Sequence, residues 1–585
     1  MKKQLFTLLI TGILFISCTN THKGATANSG DTAFQKLSDD FLSGYLKWRP
    51  QASVALGFHE YDGKITDFSK ASIDSELARL NNYGNLLSNF DTTSLSPKMY
   101  YDFRILRMGI LDEIFNIKNI GGYTKNPMTY AGAIDVNIYI KRNFAPLNER
   151  IKSIIAIEKQ APAVYAAAKA NLADSLAKPY IETAIEVAKG SAEFLNGDLV
   201  VALKDVKDTA LMAEFNAANK KAVEEVKSYA DYLEKEKLPK AHNHYAIGVD
   251  NYKKMLLYVE GVTLSPEKVL ELGMQELKKQ QDVFNTTAKI IDPKKSPVEV
   301  YHDMQKEHPA AEDLIPDAKK HLEAIRQFLV EKKLITMPSE VRVKVEETPE
   351  YARASSTASM DTPGPFETKA TEAYYYITPV DQKWTEKQKE DWLSQFDYYT
   401  TDNVTIHEAY PGHYTQFLHL NASSATKIEK IFGSYAFIEG WAHYCEQMMA
   451  DAGYGHNTDS ITAAKYRLAQ TGDALLRVCR LCVSIKTHCQ GMTIDEATKF
   501  FMDNWYQGDK PSRQEALRGS FDPGYLFYTI GKLEILKLRE DYKKQEGSAF
   551  SLQKFHDQML DNGMPPIFLL REVLLKDKSI WGQTL

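Results

Sequence analysis

The sequence lacks basic stripes, internal repeats and, beyond its amino terminus, long apolar runs. The net charge is only −6 over 585 residues and no nucleic-acid-binding motif is present, so we expect no nucleic-acid partner. No segment after the first 17 residues approaches the roughly 18 consecutive apolar residues of a membrane span. What the chain has instead is 44% apolar residues, enough to bury a large core.

Cysteine is also scarce, with five residues in the chain. Cys479 and Cys482 form a Cys-x-x-Cys pair, and Cys445 and Cys489 are nearby in the sequence. The pair lies in an apolar, helix-like segment, where cysteines usually pack as small hydrophobes. We therefore predict buried structural thiols. A disulfide is the alternative, because the amino terminus indicates export to a compartment that can be oxidising.

The amino terminus has the layout of an export signal. Two lysines precede an apolar stretch from Leu5 to Ile16, which is too short for a permanent membrane helix. We predict a signal peptide at residues 1–17, lipidation of Cys18 and a flexible polar tether at residues 18–31. An ordinary signal peptide with an incidental Cys18 is the alternative.

Residues 15–18 resemble the lipoprotein boxes of the Bacteroidetes group, although Phe15 stands where Leu is usual. This resemblance implies an exported, membrane-anchored lipoprotein. Its expected location is the periplasmic or cell-surface side of a Gram-negative outer membrane.

Helical periodicity dominates the remainder of the chain. Apolar residues recur at helical spacing over 37–48, 73–87, 98–117, 147–171, 180–195, 208–235, 266–290, 316–332 and nearly everything after Thr462. We predict a mainly α-helical fold, a large helical body with a deep cleft. An amino-terminal half (32–292) and a carboxy-terminal half (293–585) are expected, although one continuous domain fits equally well.

One stretch differs from the helical pattern. Residues 341–345 alternate apolar and basic side chains, and residues 373–377 are aromatic and β-branched, with Gly364 and several prolines around them. These segments predict strands of a small β-sheet.

Just after these strands, His407, Glu408 and His413 form a His-Glu-x-x-x-x-His pattern, and a Glu439-Gly-Trp-Ala segment follows. The usual zinc helix spaces its histidines four residues apart. Here the spacing is six, which rotates the second imidazole by about 240° on an unbroken helix. The Pro411-Gly412 pair lies between the histidines, so we predict a break or bulge that re-aims His413.

This inventory is typical of a metal hydrolase. We predict that His407, His413 and Glu439 bind one zinc ion with an open position, and that Glu408 is the general base acting on water. Histidine and carboxylate ligands suit zinc best but would also accept cobalt or manganese. The alternative is unrelated polar residues on amphipathic helices, but burying them beside Trp441 without a partner or metal is costly.

Both segments resemble those of the domain of unknown function 885 (DUF885) family, which is placed near the gluzincin metallopeptidases. The family pattern is His-Glu-x-x-Pro-Gly-His-x-x-Gln, followed by Glu-Gly-Trp-Ala-x-Tyr-x-Glu. The chain matches it at His407, Glu408, Pro411, Gly412, His413, Gln416, Glu439, Gly440, Trp441, Ala442, Tyr444 and Glu446. The resemblance covers most of the mature chain and implies a zincin-like helical body.

Near the end, residues 522–524 followed by Tyr528 and Gly531 look like the family's Pro-Gly-Gln-Ala-x-x-Tyr-x-x-Gly segment, but Tyr525 and Leu526 replace its Gln-Ala pair. The departure puts a substrate role of the missing Gln in doubt. In related gluzincins a tyrosine hydroxyl stabilises the oxyanion, so the resemblance makes Tyr528 the candidate catalytic tyrosine. A helix-packing tyrosine is the alternative.

Further polar residues are expected around the ligands. Gln416, one turn after His413, and Glu446, two turns after Glu439, are placed to orient the ligands. His443 lies four residues after Glu439 on the same helix face and is an alternative ligand, although the family pattern has no histidine there.

Other residues are candidates for contacting the substrate. Arg477, Arg480 and His488 could bind a substrate carboxylate, with a solvated or capping role as the alternative for His488. In peptidases of this type an edge strand binds the substrate backbone, so residues 374–377, with Tyr375, are a candidate substrate edge. Plain sheet core is the alternative.

The leading hypothesis is a zinc-dependent peptidase that hydrolyses short peptides and is held at a membrane by a lipid on Cys18. The enzymatic alternative is a zinc amidohydrolase or esterase with a non-peptide substrate. The other alternative is a non-catalytic surface binding protein with a structural metal. Structural zinc sites are normally closed by four protein ligands, so three ligands plus an acidic base favour a hydrolase.

Overall fold

Helices make up most of the structure, a computed structural model that describes residues 29–349, 353, 358–455 and 459–585. The predicted signal peptide, Cys18 and most of the predicted tether lie outside the described residues. The tether was expected to reach residue 31, but helix α1 (Ser29–Trp48) already includes that position. Asp31 accepts a hydrogen bond from Ser96 N over 2.8 Å, which ties the first helical turn to the body.

The mainly α-helical fold is confirmed. The described helices of the first part of the chain are α1, α2 (Pro50–Leu56), α3 (Lys70–Ser88), α4 (Pro97–Phe115), α5 (Met128–Ala131), α6 (Ile138–Lys141), α7 (Leu147–Glu158), α8 (Ala161–Asn171), α9 (Lys178–Asn196), α10 (Asp198–Ala202), α11 (Thr209–Tyr232), α12 (Val249–Glu260) and α13 (Pro266–Ile291). Those of the second part are α14 (Pro297–Met304), α15 (Leu314–Glu331), α16 (Glu386–Leu393), α17 (Tyr398–Glu408), α18 (His413–Ala422), α19 (Lys427–Ile431), α20 (Tyr435–Asp451), α21 (Ser460–Gln490), α22 (Ile494–Trp505), α23 (Asp509–Phe521), α24 (Phe527–Glu546), α25 (Leu552–Leu560) and α26 (Ile567–Leu574).

The prediction of one helix over residues 147–171 is wrong, because this segment forms two helices, α7 and α8. Pro162 lies in the first turn of α8. Proline lacks the amide hydrogen that continues a helix but fits its first turn, where that hydrogen has no partner. The proline therefore starts a second helix.

The predicted small sheet is confirmed, with strands β1 (Lys344–Glu347), β2 (Ala358–Asp361) and β3 (Tyr374–Ile377). β3 lies in the middle, parallel to β1 and antiparallel to β2. The expectation that residues 374–377 form an edge is wrong, because both neighbours use the backbone hydrogen-bonding groups of β3. β2 and the later start of β1 were not predicted.

One large apolar core joins the sheet to α15, α17, α18, α20 and α24–α26. It reaches back to Phe115, Tyr252 and Val269 in the first part of the chain. An extensive contact between α13 and α21 also connects the first part of the chain to the second. Packing of this kind fixes the relative positions of helices that are distant in the sequence.

A pair of glycines sets a close helix crossing. A Cβ added to Gly440 of α20 would lie 2.5 Å from Gly531 Cα of α24, and one added to Gly531 would lie 1.9 Å from Ala436 O. Neither position has room for a side chain. The two helices therefore pack backbone to backbone, which brings Tyr528 at the start of α24 close to Glu439 of α20.

Among the described helices, none combines the length and the apolar character needed to cross a bilayer.

Glu158 of α7 provides a test of this packing. It is fully buried, and neither carboxylate oxygen has a hydrogen-bond partner among the described residues. Burial raises its pKa from 4.5 to about 8. The folded protein therefore keeps a proton that the unfolded chain releases, and this carboxyl group lowers stability as pH rises from 4.5 to 8.

We expect Glu158→Gln to raise the free energy of unfolding at pH 8, by at most about 4 kcal/mol, and to have little effect near pH 4.5. Urea titrations across this pH range measure the difference. Glu149→Gln, at an exposed position of the same helix, is the matched control. A gain of equal size at both pH values would contradict the assignment.

Candidate metal centre

The chain breaks between the two histidines, which confirms the predicted interruption. α17 ends one residue after His407, and α18 begins at the second histidine. A Cβ on Gly412 would lie 1.7 Å from His407 O, so only glycine fits this close backbone approach. Trp441 of α20 donates its indole N–H to Pro411 O over 2.9 Å and holds the connecting turn.

The break brings His407, His413 and Glu439 together, with one potential ligand atom from each lying within 4.8 Å of the others. Glu439 Oε2 lies 3.4 Å from His407 Nε2 and 3.5 Å from His413 Nε2. In a tetrahedral zinc site with bonds of about 2.0–2.2 Å, neighbouring ligand atoms are about 3.3–3.5 Å apart. The spacing therefore fits one metal ion.

The hydrogen bonding also fits a metal. Glu439 Oε2 is buried and lacks a hydrogen-bond partner among the described residues, and so does His413 Nδ1. A buried carboxylate oxygen without a hydrogen bond is costly unless a protonated imidazole or a metal ion accompanies it. The position of this oxygen between two imidazole nitrogens indicates a cation site.

Glu446 lies behind the three candidate ligands in a buried polar network. His407 Nδ1 donates to Glu446 Oε1 over 2.7 Å, and His443 Nδ1 donates to Oε2 over 3.0 Å. Arg477 Nη2 lies 3.3 Å from Oε1. A carboxylate bonded to Nδ1 fixes the imidazole ring and leaves Nε2 for a metal. His443 is not part of the group whose ligand atoms converge.

The charges favour a cation at the His407 ring. Burial lowers the pKa of His407, but Glu439 and Glu446 outweigh burial and raise it to about 9. Burial raises the pKa of Glu439, yet the two imidazoles hold it far below its usual range. A metal ion would supply the positive charge in place of the imidazole proton. In contrast, burial and the nearby Lys532 lower the pKa of His443 to about 3, so that ring is neutral.

Glu408 and Tyr528 both lie next to His407. Glu408 is the half-buried last residue of α17. The Tyr528 ring is 6.5 Å from the His407 ring, centroid to centroid, with 18° between the planes. Burial and the charge of Glu439 raise the pKa of the Tyr528 hydroxyl. This hydroxyl is therefore a proton donor at neutral pH.

Two residues predicted to contact the substrate make structural contacts. Arg480 donates Nε and Nη2 to the carboxylate of Glu515 over 2.7 and 2.8 Å. His488 is buried, donates Nε2 to Gly519 O over 2.8 Å and accepts from Ile247 N at Nδ1 over 3.2 Å. Burial lowers its pKa to about 4, so the ring is neutral and joins three segments.

Tyr375 and Gln416 are buried as well. The Tyr375 hydroxyl lies 3.5 Å from Thr405 Oγ1, which connects the sheet to the helix that carries His407. Gln416 lies one turn after His413 in α18. Neither of its amide atoms has a hydrogen-bond partner among the described residues.

The structure adds residues that the sequence analysis missed. Asp473 O accepts from Arg477 Nη1 over 3.1 Å, and the Asp473 carboxylate lies 3.4 Å from the same atom. Their four-residue spacing on one helix was an available signal. Arg518 Nη2 donates to the Tyr435 hydroxyl over 3.3 Å, near Tyr528. No sequence pattern indicated this contact, because the residues come from different helices.

Fold and site together define a mainly helical protein with a candidate two-histidine, one-glutamate metal centre. The chain belongs to the family described as "Bacterial protein of unknown function (DUF885)", whose model matches residues 50–574. No curated protein matches the sequence.

Solved structures share the fold. A candidate lipoprotein of unknown function from Shewanella oneidensis is 24% identical, with a TM-score of 0.77 over 93% of this chain and 100% of that one. A candidate lipoprotein from Colwellia psychrerythraea is 18% identical, with a TM-score of 0.76 over 95% and 100%. A carboxypeptidase from Pyrococcus furiosus is 13% identical and has a TM-score of only 0.36, with 95% of this chain and 98% of that one covered.

Glu446→Gln tests the role of the network behind the ligands. The amide keeps the size of the carboxylate but removes its charge from the His407 ring, so we expect zinc affinity to fall about 10- to 100-fold. A competition titration with a chromophoric chelator measures the change. Glu540→Gln, half-exposed on α24, is the control. Unchanged affinity would contradict the role of Glu446.

Proposed function

We propose that the protein is a metal-dependent peptidase and that zinc is the ion it uses. The observation that carries the proposal is the position of Glu439 Oε2, which accepts no hydrogen bond from the described residues and lies 3.4 and 3.5 Å from two imidazole nitrogens. Three protein ligands leave a coordination position open, as in catalytic rather than structural zinc sites. The two-histidine, one-carboxylate donor set suits zinc better than magnesium or calcium, which prefer oxygen ligands.

His407, His413 and Glu439 would hold the ion, which when bound lowers the pKa of a water molecule toward about 7 and polarises the substrate carbonyl. Glu446 keeps the His407 ring oriented through Nδ1. Glu408, directly after the first ligand, takes a proton from the attacking water on its carboxylate. It then returns that proton to the nitrogen of the leaving amine.

Tyr528 supplies a hydrogen bond to the oxyanion that develops on the substrate carbonyl. Its hydroxyl carries a proton at neutral pH, because burial and the charge of Glu439 raise its pKa. The crossing of α20 and α24 at Gly440 and Gly531 supports this position. Donors held in place before the reaction stabilise developing charge without reorganisation.

Peptide bonds are the proposed substrate, because amide cleavage needs a group that protonates the leaving nitrogen, and Glu408, which directly follows His407 in the chain, would supply that proton. We also propose that the protein is an exported lipoprotein anchored through Cys18. Two proteins of the same fold are described as candidate lipoproteins, which supports this proposal together with the residues at 15–18.

Replacing a ligand tests the metal site. We expect the purified wild-type chain to hold about one zinc ion, measured by elemental analysis, and His413→Ala to lose it together with cleavage of a mixed peptide library. Circular dichroism checks that the variant is folded. A folded wild-type protein that takes up no metal after zinc is supplied would contradict the proposal.

Replacing the base separates catalysis from metal binding. We expect Glu408→Gln to retain zinc but to lose peptide cleavage by at least about 100-fold, since the proton acceptor is gone. Glu386→Gln, highly exposed on α16, is the matched control and should match the wild type. Zinc retention with equal cleavage in both variants would exclude Glu408 as the base. Peptide binding without turnover by any form would indicate a binding protein.

A further inference from the structure

Three guanidinium groups surround the ring of Tyr528. The Cζ atom of Arg480 lies 5.1 Å from the ring centroid, and those of Arg477 and Arg518 each lie 6.0 Å from it. The same ring lies next to His407. Three arginines are therefore gathered beside the candidate metal centre, each next to a carboxylate.

Two of the three guanidinium groups are enclosed and paired. Arg477, 11% exposed, lies against Glu446 and Asp473. Arg480, 9% exposed, makes a two-point contact with Glu515. Neither presents much surface to a ligand, so the sequence-based candidates for carboxylate binding are poorly placed for that role.

Arg518 is different, because 33% of its side chain is exposed. Its Nε and Nη2 atoms both donate to a single oxygen, Asp522 Oδ2, over 3.1 and 3.0 Å. Nη2 also donates to the hydroxyl of half-buried Tyr435 over 3.3 Å. An interaction with the Tyr528 hydroxyl adds a fourth contact, and four contacts are still fewer than the five N–H donors of a guanidinium. Arg518 is thus held in a defined orientation while donors and surface remain for a ligand.

We infer that Arg518, with Tyr435 beside it, binds the terminal carboxylate of a peptide substrate, so that the protein acts at the carboxyl end of peptides. This inference rests on the proposed function. A carboxylate can accept a charge-assisted hydrogen bond from a remaining N–H of Nη1, and partial burial strengthens such a contact.

The position of Arg518 determines how many residues can lie between the cleaved bond and the bound carboxylate. The Arg518 Cζ atom lies 6.0 Å from the Tyr528 ring centroid and the His407 ring centroid lies 6.5 Å from the same point, so the two groups are at most about 12.5 Å apart. An extended chain advances at most about 3.6 Å per residue, so a carboxylate one to three residues beyond the cleaved bond can reach Arg518. The expected products are therefore single amino acids or very short carboxy-terminal fragments.

The test compares peptides of one sequence that differ only in ending with a free carboxylate or an amide. A third peptide ends in an amide and carries a glutamate near that end, which separates a terminal carboxylate from a side-chain carboxylate. We expect the zinc-loaded wild type to cleave the free acid with a kcat/KM about 10- to 100-fold above either amide.

Arg518→Gln should reduce this preference to near unity, mainly by raising KM for the free acid, and Arg518→Lys should restore part of it. Arg513→Gln is the matched control, because Arg513 is exposed on the same helix and pairs with Asp495. Zinc content, measured in every variant, should be unchanged.

Other outcomes overturn the inference in distinguishable ways. Equal cleavage of acid and amide by the wild type would reject a carboxylate site while leaving the peptidase proposal intact. A preference for the glutamate-containing amide would assign the carboxylate to a side chain instead. If Arg518→Gln lowered kcat equally on all three peptides, Arg518 would be a positioning residue for Tyr528. Absence of cleavage by zinc-loaded wild type would remove both proposals.

Discussion

A carboxylate oxygen of Glu439 lies buried between two imidazole nitrogens, and the surrounding site depends on how its charge is balanced. Glu446 adds a second, fully buried carboxylate directly behind His407, whereas Arg477 is the cation paired with it. Buried charges persist only when they are paired or bound to a metal. The resulting excess of negative charge raises the pKa of His407 against the effect of burial and makes the centre attractive to a cation.

Close contacts between backbone segments, rather than side-chain packing, bring the groups of the candidate metal centre together. At Gly412 the turn between α17 and α18 passes so close to His407 O that no Cβ fits. At Gly440 and Gly531, α20 and α24 touch backbone to backbone. Each contact removes a side chain from the interface and moves a functional group closer to the centre. The Trp441 indole then holds the turn through Pro411 O.

Much of the helical architecture could be predicted, because each long helix carries an apolar stripe at helical spacing that does not depend on its neighbours. The predictions failed where neighbouring residues or tertiary contacts, rather than periodicity, determine the structure. The split at Pro162 follows from a local rule that periodicity alone does not include. The central position of β3 could not be read from residues 374–377, since an aromatic, β-branched strand suits a centre or an edge equally, and only pairing with β1 and β2 distinguishes them.

For the candidate site, too, some features could be predicted from the sequence and others could not. The sequence alone determined which residue types could bind a metal and that the chain must break between His407 and His413, because both follow from residue chemistry and helix geometry. The sequence also predicted that Glu446 orients a ligand, but only the tertiary structure identifies that ligand as His407. Only the tertiary structure shows that Arg518, not Arg477 or Arg480, is exposed beside Tyr528. The physical reason is that such roles depend on distances and solvent access between separate helices, which packing sets and sequence spacing does not record.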